Sequence, residues 1–398
     1  IFKNNIKKMN DSKSLKPIFQ INPDITFLNH GSYGACPRPV FENYQDWQHK
    51  IEQNPVQFMA NDVYNDLEIS RSALGKYLNC HMDDIVYFPN PTHAVASIID
   101  NIRINENEEV LSTNLEYGSC DRMWFYHSKK NKYNYNRVKI NLPINNKASF
   151  LENFWEGASN KTKYIFISHI TSGTGMILPV QDIINEAKKR NIKTIIDGAH
   201  VPGQLPLDLN DLDADFYVGA CHKWLCSPKG SSFLYVKREL QHDMEPYLKS
   251  WGWGEDYPEF VNSTQKKSPS RFQNIFQWQG TRDMSAFLAV PSAIKFHKDY
   301  NWLEVIARCK DMVIDARNTI SNFTGLPKIC PDNFLEQMAT ILIPHNNHIE
   351  LKNILYNDYN IEIPTYLKDN HVAIRISVQG YNDLDDIDRL TTALKTVI

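Results

Sequence analysis

The sequence predicts an α/β fold: a mostly parallel sheet covered by helices on both faces, joined to a smaller α+β lobe towards the C-terminus. Three observations lead there. The chain has 398 residues, more than one hydrophobic core usually holds, so two tightly joined lobes are expected. Short apolar runs alternate with helix-like stretches through its middle, the pattern of strand–helix repetition. Several of those runs, such as Tyr164-Ile-Phe-Ile-Ser168, are of the buried type that a sheet covered on both faces requires.

Taken in order, the Asn/Lys-rich opening reads as a tail over residues 1–19, with Met9 a candidate start. A large domain is expected over 20–285, its residues 20 to about 50 wrapping back against the small lobe. Strands are predicted at 85–88, 109–112, 164–168, 194–197, 216–218 and 232–236, with helices over 94–102, 122–127 and 180–190. Residues 256–271, rich in Pro, Ser, Gln and Lys, read as a loop and a candidate flap. The small domain, 286–398, would open on a connecting helix over 286–300. It would continue with strands at 340–344 and 372–377 and helices at 349–355 and 383–397. No internal repeat is visible.

Composition narrows the function. With 42% apolar and 22% charged residues the chain fits a soluble globular enzyme. A formal net charge of -3 without a long basic run argues against nucleic acid as the main partner. No apolar run reaches the length of a membrane span and no signal-peptide core opens the chain, so no membrane partner and a cytoplasmic location are expected. Seven scattered cysteines without a C-x-x-C pair support neither a zinc ribbon nor a disulfide framework, and no metal is expected.

Chemistry concentrates where predicted strands end, the edge of such a sheet at which ligands bind. The run 216–218 leads into Cys221-His-Lys-Trp224, which gives the Lys223 amine a fixed direction and a partly dry setting. Desolvation lowers a lysine pKa and frees its lone pair for Schiff-base chemistry; the alternative is an ordinary surface lysine. Asp197, opening Asp197-Gly-Ala-His200, is either a helix N-cap or the partner of a protonated ring nitrogen. His200 reads as structural or as a donor to a cofactor's phenolic oxygen. His222 is open between packing, phosphate binding and proton handling. In Asn90-Pro-Thr-His93, the backbone N–H groups and the Thr92 hydroxyl at a helix start suit one phosphate, with donors from Thr92, His93 and Ala94. Arg375 is either a strand-rim ion-pair partner or a bidentate clamp for a carboxylate. No Gly-x-Gly-x-x-Gly and no phosphate loop of the nucleoside triphosphate type occurs.

Six ordered stretches carry a family resemblance: 27–37, Glu116-Tyr-Gly118, 168–172, Asp197-Gly-Ala-His200, Cys221-His-Lys-Trp224 and 278–283. From about residue 27 to 394 the chain resembles the class V aminotransferase superfamily, within it the isopenicillin-N epimerase-like branch. The resemblance implies a pyridoxal 5′-phosphate (PLP) enzyme of fold type I, with a seven-stranded sheet in its large domain. It implies that Lys223 carries the Schiff base, Asp197 pairs with the pyridinium nitrogen, His200 lies near the phenolic oxygen, and Thr171 or Ser172 contacts the ring. Thr92, His93 and His222 would surround the phosphate, and Tyr117 would stack on the ring. Arg375 would bind the substrate carboxylate. Thr281 would reach the phosphate of a partner subunit, which implies a homodimer with shared active sites. Two departures stand out. Ala220 replaces a polar residue three positions before the lysine, and 362–372 lacks the mobile cysteine of cysteine desulfurases.

The expected activity is therefore PLP chemistry at Cα/Cβ of an amino acid. Epimerisation would need a second acid, with His30, Tyr33 or Tyr117 as candidates near the substrate. Loss of a β-substituent would make the protein a carbon–sulfur lyase, for instance of a cysteine conjugate or sulfoxide. Transamination and desulfurase or selenocysteine lyase-like activity are alternatives, and a catalytically silent scaffold is the non-enzyme alternative.

Overall fold

A computed structural model describes residues 15–256, 270–368 and 370–398. Among these residues twelve strands form three sheets. They are β1 (Thr26–Phe27), β2 (Ile85–Phe88), β3 (Glu109–Thr113), β4 (Asn134–Val138), β5 (Thr162–Ser168), β6 (Lys193–Gly198), β7 (Phe216–Ala220), β8 (Ser232–Val236), β9 (Met338–Ile343), β10 (Ile361–Glu362), β11 (Thr365–Lys368) and β12 (His371–Ser377).

The large sheet has seven strands in the order β2-β8-β7-β6-β5-β3-β4. Only β8 runs against its neighbours, so β2, β3, β5, β6 and β7 deliver their carboxyl ends to one edge. Register levels Ser168 with Asp197, and Asp197 with Val218, on adjacent strands. That row places the chemistry-bearing ends of three strands side by side. The strands Ile85–Phe88 and Ser232–Val236 are buried throughout and, Ser232 apart, built of apolar and aromatic residues, as a sheet covered on both faces requires. Val180, Ile183, Ile184 and Ala187 make the buried stripe of the helix Val180–Lys189, the spacing of one helical face.

The other two sheets are small. β9 and β12 pair antiparallel, with β11 on the far side of β12, and β1 pairs parallel with β10. The helix Trp302–Thr324 packs on β9 through Val305, Cys309, Met312, Val313, Ala316 and Ile320 and stops at Gly325 in the left-handed region. The helix Leu384–Val397 is held at its start by a capping box between Asp383 and Asp386. No helix among the described residues is long and apolar enough to cross a membrane.

The structure departs from the sequence expectations in identifiable places. Within the tail expected over 1–19, Leu15 and Phe19 are buried, and Phe19 packs edge-on against Tyr381 at 4.9 Å. Apolar side chains with a core to enter outweigh the polar composition around them. The helix expected over 286–300 is two pieces, Ser285–Leu288 and Val290–Asp299, meeting where Pro291 lacks an N–H for a continuous ladder. Strand β4, Asn-Tyr-Asn-Arg-Val, was not expected: it is a sheet edge, and its side chains are mostly solvent-facing. The expected flap, 256–271, falls mainly outside the described residues, and its end, from Arg271, begins the helix Arg271–Gln277.

The N-terminal segment bridges the sheets. After β1, the Leu28 carbonyl accepts from Ser377 N–H (2.9 Å), and the single turn His30–Tyr33 ends at Gly34 with φ 71°. There the backbone lies directly on the loop after β7: a Cβ on Gly34 would sit 2.1 Å from the His222 carbonyl oxygen and 2.9 Å from the Lys223 Cα. Both the positive φ and the close approach require glycine. Gly34→Ala is expected to lower stability by about 2 kcal/mol or more, read as a lower urea midpoint at unchanged slope. An unchanged midpoint would show that this approach is not tight.

Candidate active site

A cavity of about 370 Å³ opens at the carboxyl edge of the large sheet, lined among others by Thr92, Tyr117, Ser172, Asp197, His222 and Lys223. Each strand end contributes one part. Lys223 lies in the turn after β7, with its amine 3.2 Å from His200 Nε2. Burial pushes the amine down to about 8, and the neighbouring Arg375 guanidinium pushes the same way, while Asp197 opposes both. The amine is therefore substantially neutral in the range where a free lysine is fully charged.

Asp197 closes β6. Its Oδ1 accepts the Ala199 N–H (3.0 Å), whereas Oδ2 has only the Cys120 thiol at 3.9 Å. Burial raises its pKa, with the Ala199 N–H and Lys223 acting in the other direction. A buried carboxylate with one oxygen short of a donor suits a protonated ring nitrogen. Glu116 stands behind it. Its carboxylate accepts the Thr113 hydroxyl (2.6 Å), the Ser168 N–H (2.8 Å) and the Ser168 hydroxyl (2.6 Å), tying the ends of β3 and β5 together. Burial raises Glu116 to about 7 against those three donors.

A phosphate-sized anion would meet Thr92 and His222 on the cavity wall. The helix Pro91–Asn101 begins there, but Asn90 Oδ1 takes the His93 N–H (2.9 Å) and the Asn90 carbonyl takes the Ala94 N–H (3.3 Å). Thr92 is thus the first-turn residue whose N–H and hydroxyl remain for a ligand. The expectation of donors from His93 and Ala94 is corrected by this cap. His222 donates from Nδ1 to the Ser231 carbonyl (2.9 Å), which leaves Nε2 for the cavity; burial holds it down to about 4.

Arg375 is buried on β12 beside this cavity. Its Nη1 donates to the Ser172 carbonyl (2.5 Å) and its Nη2 to Ser32 Oγ (3.0 Å) and, more weakly, Asn29 Oδ1 (3.4 Å). Nε has no partner, and no ion pair to Arg375 occurs among the described residues. A buried guanidinium without a counter-ion is a receptor for a carboxylate.

Of the predicted site residues, Lys223, Asp197, His200, His222, Thr92, Ser172, Tyr117 and Tyr33 share the cavity, with Arg375 against it. Four are placed elsewhere. His30 is fully buried behind the lysine, its ring nitrogens against the Tyr381 hydroxyl (3.1 Å) and the Lys223 carbonyl (3.0 Å), so it braces the lysine's backbone. Thr171 spends its hydroxyl on Thr174 and on both backbone groups of Met176, closing a turn. The His93 ring packs edge-on against Phe88 at 5.4 Å. Thr281 is exposed and does not line this cavity. Sequence reasoning gave no role to Ser32, Ser168, Ile170 and Ala199, which also line the cavity. Ser168 and Ala199 sit inside motifs already singled out, so strand-end position was the available signal.

The residues present fit PLP: an amine, an unmet buried carboxylate oxygen, a helix-start donor and a carboxylate receptor converge on one space. The family model for aminotransferase class V matches residues 30–390. Isopenicillin N epimerase of Amycolatopsis lactamdurans is 28% identical, covering 94% of this chain and 96% of its own. Hercynylcysteine sulfoxide lyase of Schizosaccharomyces pombe is 27% identical over 87% of each. Among solved structures, a C-DES mutant with glycine covalently linked to its PLP cofactor superimposes with a TM-score of 0.80 at 18% identity, covering 94% of this chain and 96% of that one.

The Lys223 titration makes a signed prediction for the cofactor-free chain. Because its pKa is about 8 when folded and near 10.5 when unfolded, the unfolded state binds more protons between those values. Stability therefore rises with pH across that window, and the cost of charging the buried amine is fully present below it. Lys223→Met should flatten this rise in urea midpoints relative to the parent chain. Parallel pH profiles for the two proteins would contradict the buried, depressed amine.

Proposed function

The chain belongs to the aminotransferase class V family, and on that premise we propose that it is a PLP-dependent carbon–sulfur lyase acting on a cysteine-derived amino acid. Bound at Asp197, Thr92 and His222, the cofactor supplies an electron sink for charge developing at the substrate Cα. The chain's own residues do the rest. Arg375 binds the α-carboxylate, exchanging its hold on the Ser172 carbonyl for a stronger, charge-assisted pair. The Lys223 Nζ, its pKa lowered by its dry setting, accepts the Cα proton. Asp197 holds the proton of the ring nitrogen, and Glu116 keeps the β3 and β5 ends in register so that Tyr117 and Ser168 border the same space.

One observation carries the lyase reading: the cavity offers a single effective base. His30 is spent on the Lys223 carbonyl, and His222, tied to Ser231 through Nδ1, has its Nε2 assigned to the phosphate. Elimination needs only that base. The Cα–H and Cβ–S bonds break and the thiol leaves with a proton. The three-carbon remainder takes up water to give pyruvate and ammonium. Epimerisation is the second reading, favoured by Tyr33 and Tyr117, which both line the cavity near its mouth. Burial raises the Tyr117 phenol, so it stays protonated and able to donate. The exposed Thr281 and the half-buried Gly280, the latter with φ 109° and open space beside it, support a homodimer in which this turn reaches the partner's phosphate. Residues 20–285 then form the cofactor-binding domain and 286–398 the small domain.

Incubating holoenzyme with a panel of amino acids, including cysteine thioethers and sulfoxides, separates these readings. Pyruvate and ammonium in equal amounts, with no inverted substrate, is the expected result. Cα deuterium exchange with inversion and no pyruvate would replace the lyase with an epimerase. Arg375→Lys should raise KM about 10–100-fold with a smaller change in kcat, since the bidentate contact is lost from ground and transition states alike. An unchanged KM would remove Arg375 from the carboxylate site.

A further inference from the structure

The lysine's environment contains a second layer that the reaction above does not use. Trp224 is fully buried, and its indole N–H donates to His200 Nδ1 at 3.2 Å. An indole nitrogen can only donate, so His200 Nδ1 must present a lone pair. A neutral ring then carries its proton on Nε2, the atom 3.2 Å from Lys223 Nζ. An Nε2–H facing the amine can be accepted only by a nitrogen lone pair. An ammonium there would set donor against donor.

We propose that Trp224 is a positioning residue: its indole N–H fixes the His200 proton on Nε2, and His200 in turn holds the Lys223 amine in its neutral, nucleophilic form. The proposal rests on Lys223 being the reactive amine and not on which substrate bond is cleaved. The other tautomer would let an ammonium donate to Nε2, but it would set a ring N–H against the indole N–H. Protonating His200 meets the same obstacle. Burial and the charges of Lys223 and Arg375 further oppose an imidazolium, as do His222 and His30 nearby. Around the amine itself, Arg375 works with Trp224 and His200, whereas Asp197 and the Cys120 thiol favour the ammonium. The chain Trp224–His200–Lys223 thus adds a directional hydrogen bond to the dryness that already depresses the lysine. The indole also packs at 4.9 Å from the His30 ring, which holds the Lys223 carbonyl. Trp224→Phe keeps an aromatic ring at that contact and removes the donor together with part of the ring volume, which is why the double-variant comparison is needed.

Two readouts on the full-length chain, freed of cofactor, test this without turnover. Histidine 15N–1H correlation spectra, with His200 assigned by loss of its signals in His200→Gln, should show a bare Nδ1 and a protonated Nε2. Trp224→Phe should mix the tautomers. The pH midpoint for acetic anhydride labelling of Lys223, followed by mass spectrometry, should rise by about one unit in Trp224→Phe. In a His200→Gln background the same tryptophan change should leave the midpoint where it is, because its route is gone. A merely structural tryptophan would move the midpoint equally in both backgrounds, and that result overturns the proposal. So does an Nδ1-protonated His200 in the parent chain, an outcome that needs no variant to fold.

Discussion

Keeping one amine out of water is the constraint on which the rest of this structure depends. A lysine charged in the ordinary way is no nucleophile, and here burial brings Lys223 down to about 8. Several distant parts of the chain are recruited to maintain that setting. The turn 30–34 is laid against the lysine's peptide, and only glycine fits at its end. His30 takes the Lys223 carbonyl, and β12 brings a guanidinium from the small lobe. The lysine is consequently a meeting point of segments that lie as many as 193 residues from it in sequence.

The cavity is organised by charges that lack their full complement. Among the described residues Arg375 has no acidic partner, and Asp197 Oδ2 has only a thiol. Left alone, each is a desolvated charge with an unmet need, which is costly in a buried place. Under the proposed function, an amino-acid carboxylate and a protonated ring nitrogen would meet those two needs. Glu116 has the opposite character: its three donors saturate it, so it holds two strand ends together and is not positioned to bind a ligand. Partnered and unpartnered charges thus divide the architecture from the chemistry.

Much of this was legible in the sequence, for physical reasons that differ by element. Strands buried on both faces are mostly apolar, so Ile85–Phe88 and Ser232–Val236 announce themselves, and with them the strand ends where chemistry is sought. Strand β4 does not, because an edge strand facing solvent has no reason to be apolar. Lys223 and Asp197 were found because each stands at the end of an apolar run. His30 and Thr171 show the limit of motif reading. Both are adjacent to the site, yet His30 braces a carbonyl 193 residues away, which no local pattern encodes, and Thr171 closes a local turn with Thr174 and Met176. Glu116 was visible as part of a motif, but its partner Ser168 lies 52 residues away. The helix cap at Asn90, which removes His93 from the phosphate donors, was decided by one side-chain rotamer.

The central claim is that Lys223 is the residue whose amine bonds to the cofactor. Borohydride reduction of the holoprotein, followed by proteolysis and mass spectrometry, tests it most directly. A phosphopyridoxyl adduct is expected on the peptide containing Lys223 and on no other lysine. An adduct at a different lysine, or none from protein that still carries bound cofactor, would contradict it.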